Sequence, residues 1–326
     1  MNTRKVGNKG FSVGEVGLGC WQLGEGFGPM EESRAIATLE AAVENGITFF
    51  DTADVYGAGR SEAFIGRFLK TCKTSIRVAS KFGRGGGVFP DNYSRQAMRD
   101  SVKASLERLG VDTLDLLQLH CIPIEVLQKG DVFQWLEELR EEGLIRHFGA
   151  SVESVEQARV CLEHGELLSL QLIFNLFRQR PVSELLDDAK EQGVGVIVRL
   201  PLASGLLAGK FKKETTFDPS DHRSFNRDGQ CFNVGETFSG LPFEKGVELA
   251  DALKAHVPAG MTMAQMALRW VLDHDAVSVV IPGASSPEQA RANAATSALE
   301  PLPAASHALF HDFFEQQVRP HIRGML

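Results

Sequence analysis

Four side chains with complementary chemistry close, or directly follow, three successive apolar runs of the sequence. Asp51 and Tyr56 follow the run that begins at Thr48, while Lys81 and His120 close the next two. A tyrosine with its ordinary pKa of about 10 transfers a proton poorly at neutral pH unless its anion gains about 4 kcal/mol of stabilisation. A lysine ammonium about 4 Å away supplies roughly that much. We therefore predict that Lys81 lowers the pKa of Tyr56, that Asp51 holds Lys81, and that His120 orients a carbonyl group beside the phenol.

Each of these residues taken alone has a simpler interpretation. Asp51 and Lys81 could form a structural ion pair, and His120 could cap the end of its strand. The chain contains only two tyrosines, Tyr56 and Tyr93, so abundance does not explain a tyrosine just past a strand end. The arrival of all four side chains on adjacent strands favours a catalytic site.

The elements that must position these residues are short apolar runs alternating with segments of helical periodicity. Eight strands are predicted: Val16–Cys20, Thr48–Ala53, Ile76–Phe82, Leu114–His120, Ile145–Ser151, Leu168–Asn175, Gly195–Leu200 and Ser278–Pro282. Eight strand–helix repeats without a linker predict a single α/β domain over residues 1–326, a (β/α)8 TIM barrel. A doubly wound sheet is the alternative, but no early strand is followed by the glycine spacing of a dinucleotide-binding turn.

Two further segments are added to the eight predicted strand–helix repeats. Arg4–Val6 and Phe11–Gly14 flank a glycine-containing turn, which predicts an N-terminal β-hairpin acting as a small lid. A long loop, Phe211–Phe243, follows strand seven and is rich in aromatic residues. Phe217, Phe225, Phe232 and Phe238 either wall a pocket or pin this loop to the barrel, and the sequence leaves both alternatives open.

Composition excludes several classes of partner. The 326 residues carry a formal net charge of −8 with no run of Lys or Arg, so we expect no nucleic-acid partner. No stretch approaches the roughly 20 apolar residues of a membrane span, and the N-terminus lacks the apolar run of a secretory signal. We therefore expect a cytoplasmic protein without membrane contact. Five widely spaced cysteines indicate free thiols.

Four segments in sequence order resemble the signature blocks of the aldo-keto reductases. They are FFDTADVYG from Phe49, ASKFG from Ala79, LQLH ending at His120, and IRHFGAS from Ile145. The resemblance covers nearly the whole chain and implies NADPH-linked reduction of aldehydes and ketones, or the reverse oxidation, in a (β/α)8 barrel. It assigns Tyr56 as general acid, Lys81 and Asp51 as its pKa-setting pair, and His120 as the substrate-orienting imidazole.

The resemblance also implies a cofactor site and a substrate pocket. The implied cofactor contacts are Gly19, Cys20, Trp21, Asp51, Ser151, Gln171, Arg199, Pro201, Leu202, Ser204, Gly205, Leu206, Lys210, Gly283, Ser285, Ser286, Gln289 and Asn293. The implied substrate pocket consists of Trp21, Phe27, Tyr56, Phe82 and His120. No metal site is predicted.

The chain departs from the family pattern at two positions. Arg199 stands where many members stack an aromatic ring on the nicotinamide, and a guanidinium can also stack. Ser285 and Ser286 stand where NADPH-selective members often carry Lys or Arg, and Arg291 follows one helical turn later. We therefore expect NADP(H) to be preferred only modestly, with NAD(H) also accepted.

The expected function is interconversion of a small carbonyl compound, sugar-type substrates included, and its alcohol. The alternative is a regulatory subunit that keeps the barrel and cofactor but senses redox state with little turnover. A metal-dependent barrel hydrolase would need more His and Asp at strand ends than His120 and Asp51. The substrate is not identified by the sequence, and a homo-oligomer is allowed.

Overall fold

The computed structural model describes residues 1–324. Within them the strands are β1 (Thr3–Lys5), β2 (Ser12–Gly14), β3 (Leu18–Gly19), β4 (Phe49–Asp51), β5 (Arg77–Phe82), β6 (Leu114–His120), β7 (Ile145–Ser151), β8 (Ser169–Ile173), β9 (Gly195–Arg199) and β10 (Val277–Val280). Strands β3 to β10 form one parallel sheet in sequence order, and β1 and β2 form an antiparallel hairpin.

The helices lie between successive strands or follow the last strand. They are α1 (Glu32–Glu44), α2 (Arg60–Leu69), α3 (Arg95–Leu109), α4 (Ile124–Lys129), α5 (Asp131–Glu141), α6 (Val155–Leu162), α7 (Arg180–Glu184), α8 (Leu186–Glu191), α9 (His222–Phe225), α10 (Phe243–Leu253), α11 (Met263–Leu272), α12 (Pro287–Ala295) and α13 (Ala304–Phe313). None of those within residues 1–324 combines the length and apolar content needed to cross a bilayer.

Backbone hydrogen bonds between the first and last barrel strands close the sheet. The N–H of Gly17 donates to the carbonyl of Val280 at 2.8 Å, and that of Gly19 donates to Pro282 at 3.1 Å. The N–H of Val280 donates back to Glu15 at 3.0 Å. The predicted (β/α)8 barrel is therefore confirmed, with each strand within a few residues of its predicted bounds.

The N-terminal hairpin covers the end of the barrel where the strands begin. Val6 and Val13 pack among buried side chains near the strand starts, including Phe49 and Leu168. The N–H of Asn8 also donates to the carbonyl of Gly193, just before β9. The hairpin is confirmed, and the end of the barrel that it covers is the one where the strands begin.

The segment between β9 and α10 forms the long loop predicted after strand seven. Within residues 201–242 it contains tight turns and the four-residue helix α9 but no strand. Regular strands therefore fix one side of the barrel mouth, whereas irregular chain covers the other.

Candidate active site

A cavity of about 690 Å³ opens at the end of the barrel where the parallel strands finish. Residues that close β3, β4, β6, β7 and β9 all reach it. Of the predicted site residues, those lining it are Gly19, Cys20, Trp21, Phe27, Asp51, Tyr56, His120, Ser151, Gln171, Arg199, Pro201, Leu202, Ser204, Gly205, Lys210, Gly283, Ser285, Gln289 and Asn293. The active sites of (β/α)8 enzymes occupy this same end of the barrel.

Lys81 lies directly behind the phenol of Tyr56. Its Nζ is 3.3 Å from the Tyr56 hydroxyl oxygen, 2.5 Å from Oδ1 of Asp51 and 2.7 Å from the carbonyl of Thr52. An ammonium only donates hydrogen bonds, so the Tyr56 oxygen accepts from Lys81 and its own hydrogen is free to point elsewhere. The geometry therefore leaves the phenolic proton available to a molecule bound in the cavity.

Two amide side chains hold the other oxygen of Asp51. Oδ2 accepts from Gln118 at 2.9 Å and from Gln171 at 2.6 Å. Asp51 and Lys81 are 3% and 1% exposed, and removing one partner of such a pair costs about 3–5 kcal/mol. The pair is therefore a rigid, fully buried support for Tyr56.

The pKa of Tyr56 differs in direction from the sequence prediction. Burial raises the pKa of Tyr56 above its usual 10, and the Lys81 ammonium opposes this shift without overcoming it. Burial would lower the pKa of Lys81, but Asp51 and Tyr56 hold it above its usual range. The prediction of a lowered phenol pKa is wrong for this structure, because burial outweighs the ammonium. Tyr56 is therefore protonated at neutral pH.

His120 lies across the cavity from the phenol, with its ring 5.9 Å from that of Tyr56 and nearly perpendicular to it. Burial, followed by the charges of Lys81, Arg84 and Arg199, lowers the pKa of His120 well below its usual value. Neither ring nitrogen has a hydrogen-bond partner within residues 1–324, and Nδ1 is buried. The imidazole is therefore neutral and free to contact a ligand.

Three predicted contacts do not line the cavity. Phe82 points out of the barrel against Tyr93, because neighbouring strand side chains alternate and Lys81 points inward. Leu206 is buried in the core beside Gly246 on α10. Ser286 caps α12, with its hydroxyl accepting from the N–H of Gln289. These three placements are corrected by the structure.

Ser151 and Gln171 have hydrogen-bond partners that the sequence did not predict. The Gln171 amide nitrogen donates to Asp51 and, at 3.1 Å, to Gln118, while its oxygen accepts from the Ser151 hydroxyl at 3.4 Å. Both residues line the cavity. Gln171 therefore links the cavity wall to the carboxylate that holds Lys81.

Sequence analysis did not identify two ion pairs that line the cavity. Arg199 donates to Glu236 of the long loop at 2.5 Å and to the Val152 carbonyl at 3.1 Å. Arg84, two residues past β5, donates to Glu153 at 2.6 Å. The position of Arg84 beyond a strand end was a usable signal. No pattern in the sequence singles out Glu236, which arrives from a distant loop.

Cys121, Glu153 and Glu236 bring potential metal ligands within 4.8 Å of one another. Both carboxylates are already paired with arginine. Burial raises the pKa of the Cys121 thiol, which disfavours the thiolate that binds metals. We interpret the cluster as an ion-pair network.

His222 fastens the long loop over the cavity. Its Nδ1 lies 2.8 Å from the carbonyl of Gly26, and its Nε2 lies 3.3 Å from the Ser204 hydroxyl. The imidazole also packs against Trp21 and Phe27, with ring centres 4.5 Å apart in each case. We call residues 211–243 the lid from here on.

The lid aromatics divide between the two roles left open by the sequence. Phe225 and Phe232 line the cavity. Phe217 and Phe238 instead pack against each other and against Phe243. The first two therefore wall the cavity. Phe238 belongs to the main buried core and Phe217 packs against that core, so the second two pin the lid to the barrel.

The residues along the cavity fit an extended dinucleotide. The residues lining the cavity range from Tyr56 to Ser285, just before α12, and Asn293 within that helix. Gly205 has φ of +101°, and a Cβ there would come within 2.8 Å of the Phe211 ring. A Cβ on Gly19 would lie 2.8 Å from the carbonyl of Ile281. The backbone at both positions therefore requires glycine.

Known proteins resemble the chain over nearly its full length. The aldo/keto reductase family model matches residues 15–313. An uncharacterized oxidoreductase, YqkF of Bacillus subtilis, is 33% identical over 299 residues, or 90% of each chain. The NADH-specific methylglyoxal reductase of Escherichia coli is 29% identical, covering 90% of this chain and 93% of the relative. The structure of glycerol dehydrogenase AKR11B4 from Gluconobacter oxydans matches with a TM-score of 0.80 and 28% identity, covering 99% and 98% of the two chains.

These similarities, together with the closed barrel and its cavity, define the chain as a barrel oxidoreductase. It belongs to the aldo/keto reductase family.

Proposed function

We propose that this protein interconverts aldehydes or ketones with the corresponding alcohols, using NADP(H) in preference to NAD(H). The observation that carries the proposal is the Tyr56 hydroxyl, which accepts from Lys81 at 3.3 Å and lines the cavity with its own proton uncommitted. The phenol would donate that proton to the carbonyl oxygen during reduction and take it back during oxidation. Bound nicotinamide supplies or accepts the hydride.

His120 would orient the carbonyl group. A neutral imidazole can donate one hydrogen bond without competing with Tyr56 for the transferred proton. Its lowered pKa and unpartnered ring nitrogens support that role. Trp21 and Phe27 would wall the substrate pocket, together with Phe225 and Phe232, for which the sequence left open whether they wall a pocket or pin the loop.

Lys81 would assist proton transfer by Tyr56. An ammonium beside the oxygen stabilises the phenolate left after proton donation, so it lowers the energetic cost of the transfer. Asp51, fixed by Gln118 and Gln171, keeps the ammonium in place and charged. We propose these two residues as the pair that makes a buried phenol usable as an acid and a base.

The cofactor would extend from the catalytic residues to α12. Ser285, Gln289 and Asn293 line that end, and the dipole at a helix start favours a phosphate. Arg291 faces Glu288 at 3.9 Å, so the expected preference for NADP(H) stays modest. The NADH-specific relative from E. coli supports use of NAD(H) as well. We further propose that residues 1–326 act as one barrel domain.

Cofactor binding and turnover test this proposal separately. NADPH and NADH would be titrated by protein fluorescence, and a panel of aldehydes and ketones would be followed by loss of nicotinamide absorbance. Binding with turnover of at least one carbonyl supports the proposal. Binding without turnover across the panel would instead support the regulatory alternative, and failure to bind either nucleotide contradicts both.

A further inference from the structure

Arg84 has hydrogen-bonding capacity that the protein does not use. Of its three guanidinium nitrogens, only Nη2 donates within residues 1–324, to Glu153. Nε is buried without a partner, and Nη1 also makes no hydrogen bond there. The side chain is 17% exposed and lines the cavity. The guanidinium therefore offers unpaired donors at the wall of the active site.

The Arg84–Glu153 pair joins the two chain segments that flank His120. Arg84 lies just beyond β5 and Glu153 just beyond β7, whereas His120 closes β6 between them. The charge of Arg84 is close enough to contribute to the lowered pKa of His120. A group bound to Arg84 would therefore belong to a molecule whose reacting atoms lie beside His120 and Tyr56.

This position is separate from the proposed cofactor phosphates. In the closed order of eight strands, β6 stands across the barrel from β10, which leads into α12. The phosphates of a nucleotide directed toward α12 would lie on that far side. An anion at Arg84 would therefore come from the substrate.

Other charges around Arg84 leave its spare donors available. The carboxylate of Glu236 also lines the cavity, but Arg199 pairs with it at 2.5 Å. Burial would raise the pKa of Glu236, and the nearby arginines more than offset that effect. Elsewhere the cavity presents aromatic side chains, among them Trp21, Phe27 and Phe232. The cavity thus combines aromatic surface with a cation, Arg84, that has unused donors.

We propose that Arg84 determines substrate specificity by binding a carboxylate on the carbonyl substrate, so that the preferred substrates are aldehydes or ketones that carry an acid group. This inference rests on the proposed carbonyl–alcohol chemistry. Guanidinium and carboxylate form charge-assisted hydrogen bonds, about twice as strong as neutral ones. An apolar body between the two functional groups would pack against the aromatic side chains of the cavity.

Matched substrate pairs test the inference. We would measure kcat/KM for 3- and 4-formylbenzoate and for the corresponding formylbenzamides, which keep the shape and lose the charge. We expect kcat/KM for the better acid to exceed kcat/KM for its amide by about 10- to 100-fold, the range expected for hydrogen bonds to a charged group. In Arg84→Gln that ratio should fall at least tenfold, and Arg84→Lys should retain part of it.

Two further variants control for charge and folding. Arg95→Gln removes the same charge from an exposed residue that pairs with Glu138 and does not line the cavity. The ratio of kcat/KM for acid and amide should therefore match that of the unmodified protein. Arg84→Gln combined with Glu153→Gln avoids leaving a carboxylate unpaired, so it keeps the test open if the single variant folds poorly. Benzoate, used as an inhibitor of formylbenzamide reduction, should bind at least tenfold more weakly to either Arg84→Gln variant.

The outcomes separate the two proposals. Reduction of the acids and the amides at equal rates would overturn the role of Arg84 and leave the carbonyl chemistry intact. An acid preference that survives in Arg84→Gln would also overturn it. If neither class is reduced while other carbonyls are, Arg84 again has no such role. If no carbonyl is reduced at all, the proposed function itself fails.

Discussion

The two sides of the cavity are built by different means. On the side of β4 to β6, Asp51, Lys81 and His120 are held within or at the ends of parallel strands, and alternation along each strand decides which side chains point inward. On the other side, the lid reaches the cavity through contacts between residues far apart in sequence, such as His222 with Gly26. The contrast indicates a rigid wall, which carries the proposed catalytic residues, facing a cover that other segments hold in place.

Backbone conformation differs between the two sides in the number of left-handed residues. Leu200, Ala203, Ser204, Phe238 and Ser239 all have φ between +47° and +56°, the left-handed region that side chains other than glycine adopt at a cost. These residues flank or lie within the lid segment. Five of the eight non-glycine residues with positive φ within residues 1–324 therefore lie in the lid or on the segment leading to it, whereas Ala58 and Cys121 follow β4 and β6.

Replacing Tyr56 with Phe tests the rigid wall with the largest expected effect. The change removes the transferable proton and little volume, so turnover should fall by at least about 10²- to 10⁴-fold while NADPH binding persists. Tyr93→Phe is the matched control, because Tyr93 donates to the Gly83 carbonyl outside the cavity. Steady-state rates and cofactor titrations measure both quantities. Activity of Tyr56→Phe within tenfold of the unmodified protein would remove Tyr56 from the mechanism.

Lys81→Met tests the support behind the phenol. It should raise the apparent pKa in the pH–rate profile and destabilise the fold by about 3–5 kcal/mol, because Asp51 is left buried without its partner. The pKa of Lys81 in the folded protein lies above its usual value of 10.5. The stabilisation from the Lys81–Asp51 pair is therefore complete below pH 10.5 and is lost as the pH rises through the folded-state pKa. Asp51→Asn combined with Lys81→Met should recover much of the stability but not the activity. An unchanged pH–rate profile in Lys81→Met would contradict the pairing.

Acidification should loosen the lid through His222. Burial lowers the pKa of this imidazole to about 4, so the closed lid is fully favoured above about pH 6.5 and weakens as pH falls toward 4. His222→Gln cannot gain this charge, so it serves as the matched control. The difference in tryptophan fluorescence between the two proteins should change across this window, because Trp21 packs on His222. Identical titrations of both proteins would show that His222 does not control the lid.

The smallest expected effect concerns cofactor choice. Glu288→Gln removes a carboxylate at the start of α12 and frees Arg291, so the ratio of NADH to NADPH dissociation constants should rise about 2- to 5-fold. In the unmodified protein we expect NADPH to bind about 5- to 30-fold more tightly, as neutral hydrogen bonds would allow. Titrations at fixed ionic strength measure both ratios. Tighter binding of NADH by the unmodified protein would overturn the preference.

The rigid wall was predictable from the sequence because its geometry is local. The apolar runs predicted β6 and β7 with their observed bounds, and strand ends predicted Asp51, Lys81 and His120. Strand alternation also explains the error at Phe82: once Lys81 points into the barrel, its neighbour must point out.

The opposite wall depends on contacts between residues far apart in the sequence, which a local sequence pattern does not reveal. The pairing of Glu236 with Arg199 and the fastening of His222 to Gly26 both join residues from different segments. The direction of the Tyr56 pKa shift was missed for a related reason, because it depends on total burial as well as on one neighbouring charge.

The hairpin of β1 and β2 bears on the order in which cofactor and substrate bind. Because β1 and β2 close the far end of the barrel, cofactor and substrate must share the mouth beneath the lid. Whichever molecule lies deeper has to arrive first and depart last. If the cofactor occupies the inner position, product inhibition should show an obligatory sequence, with the oxidised nucleotide competing only with its reduced form.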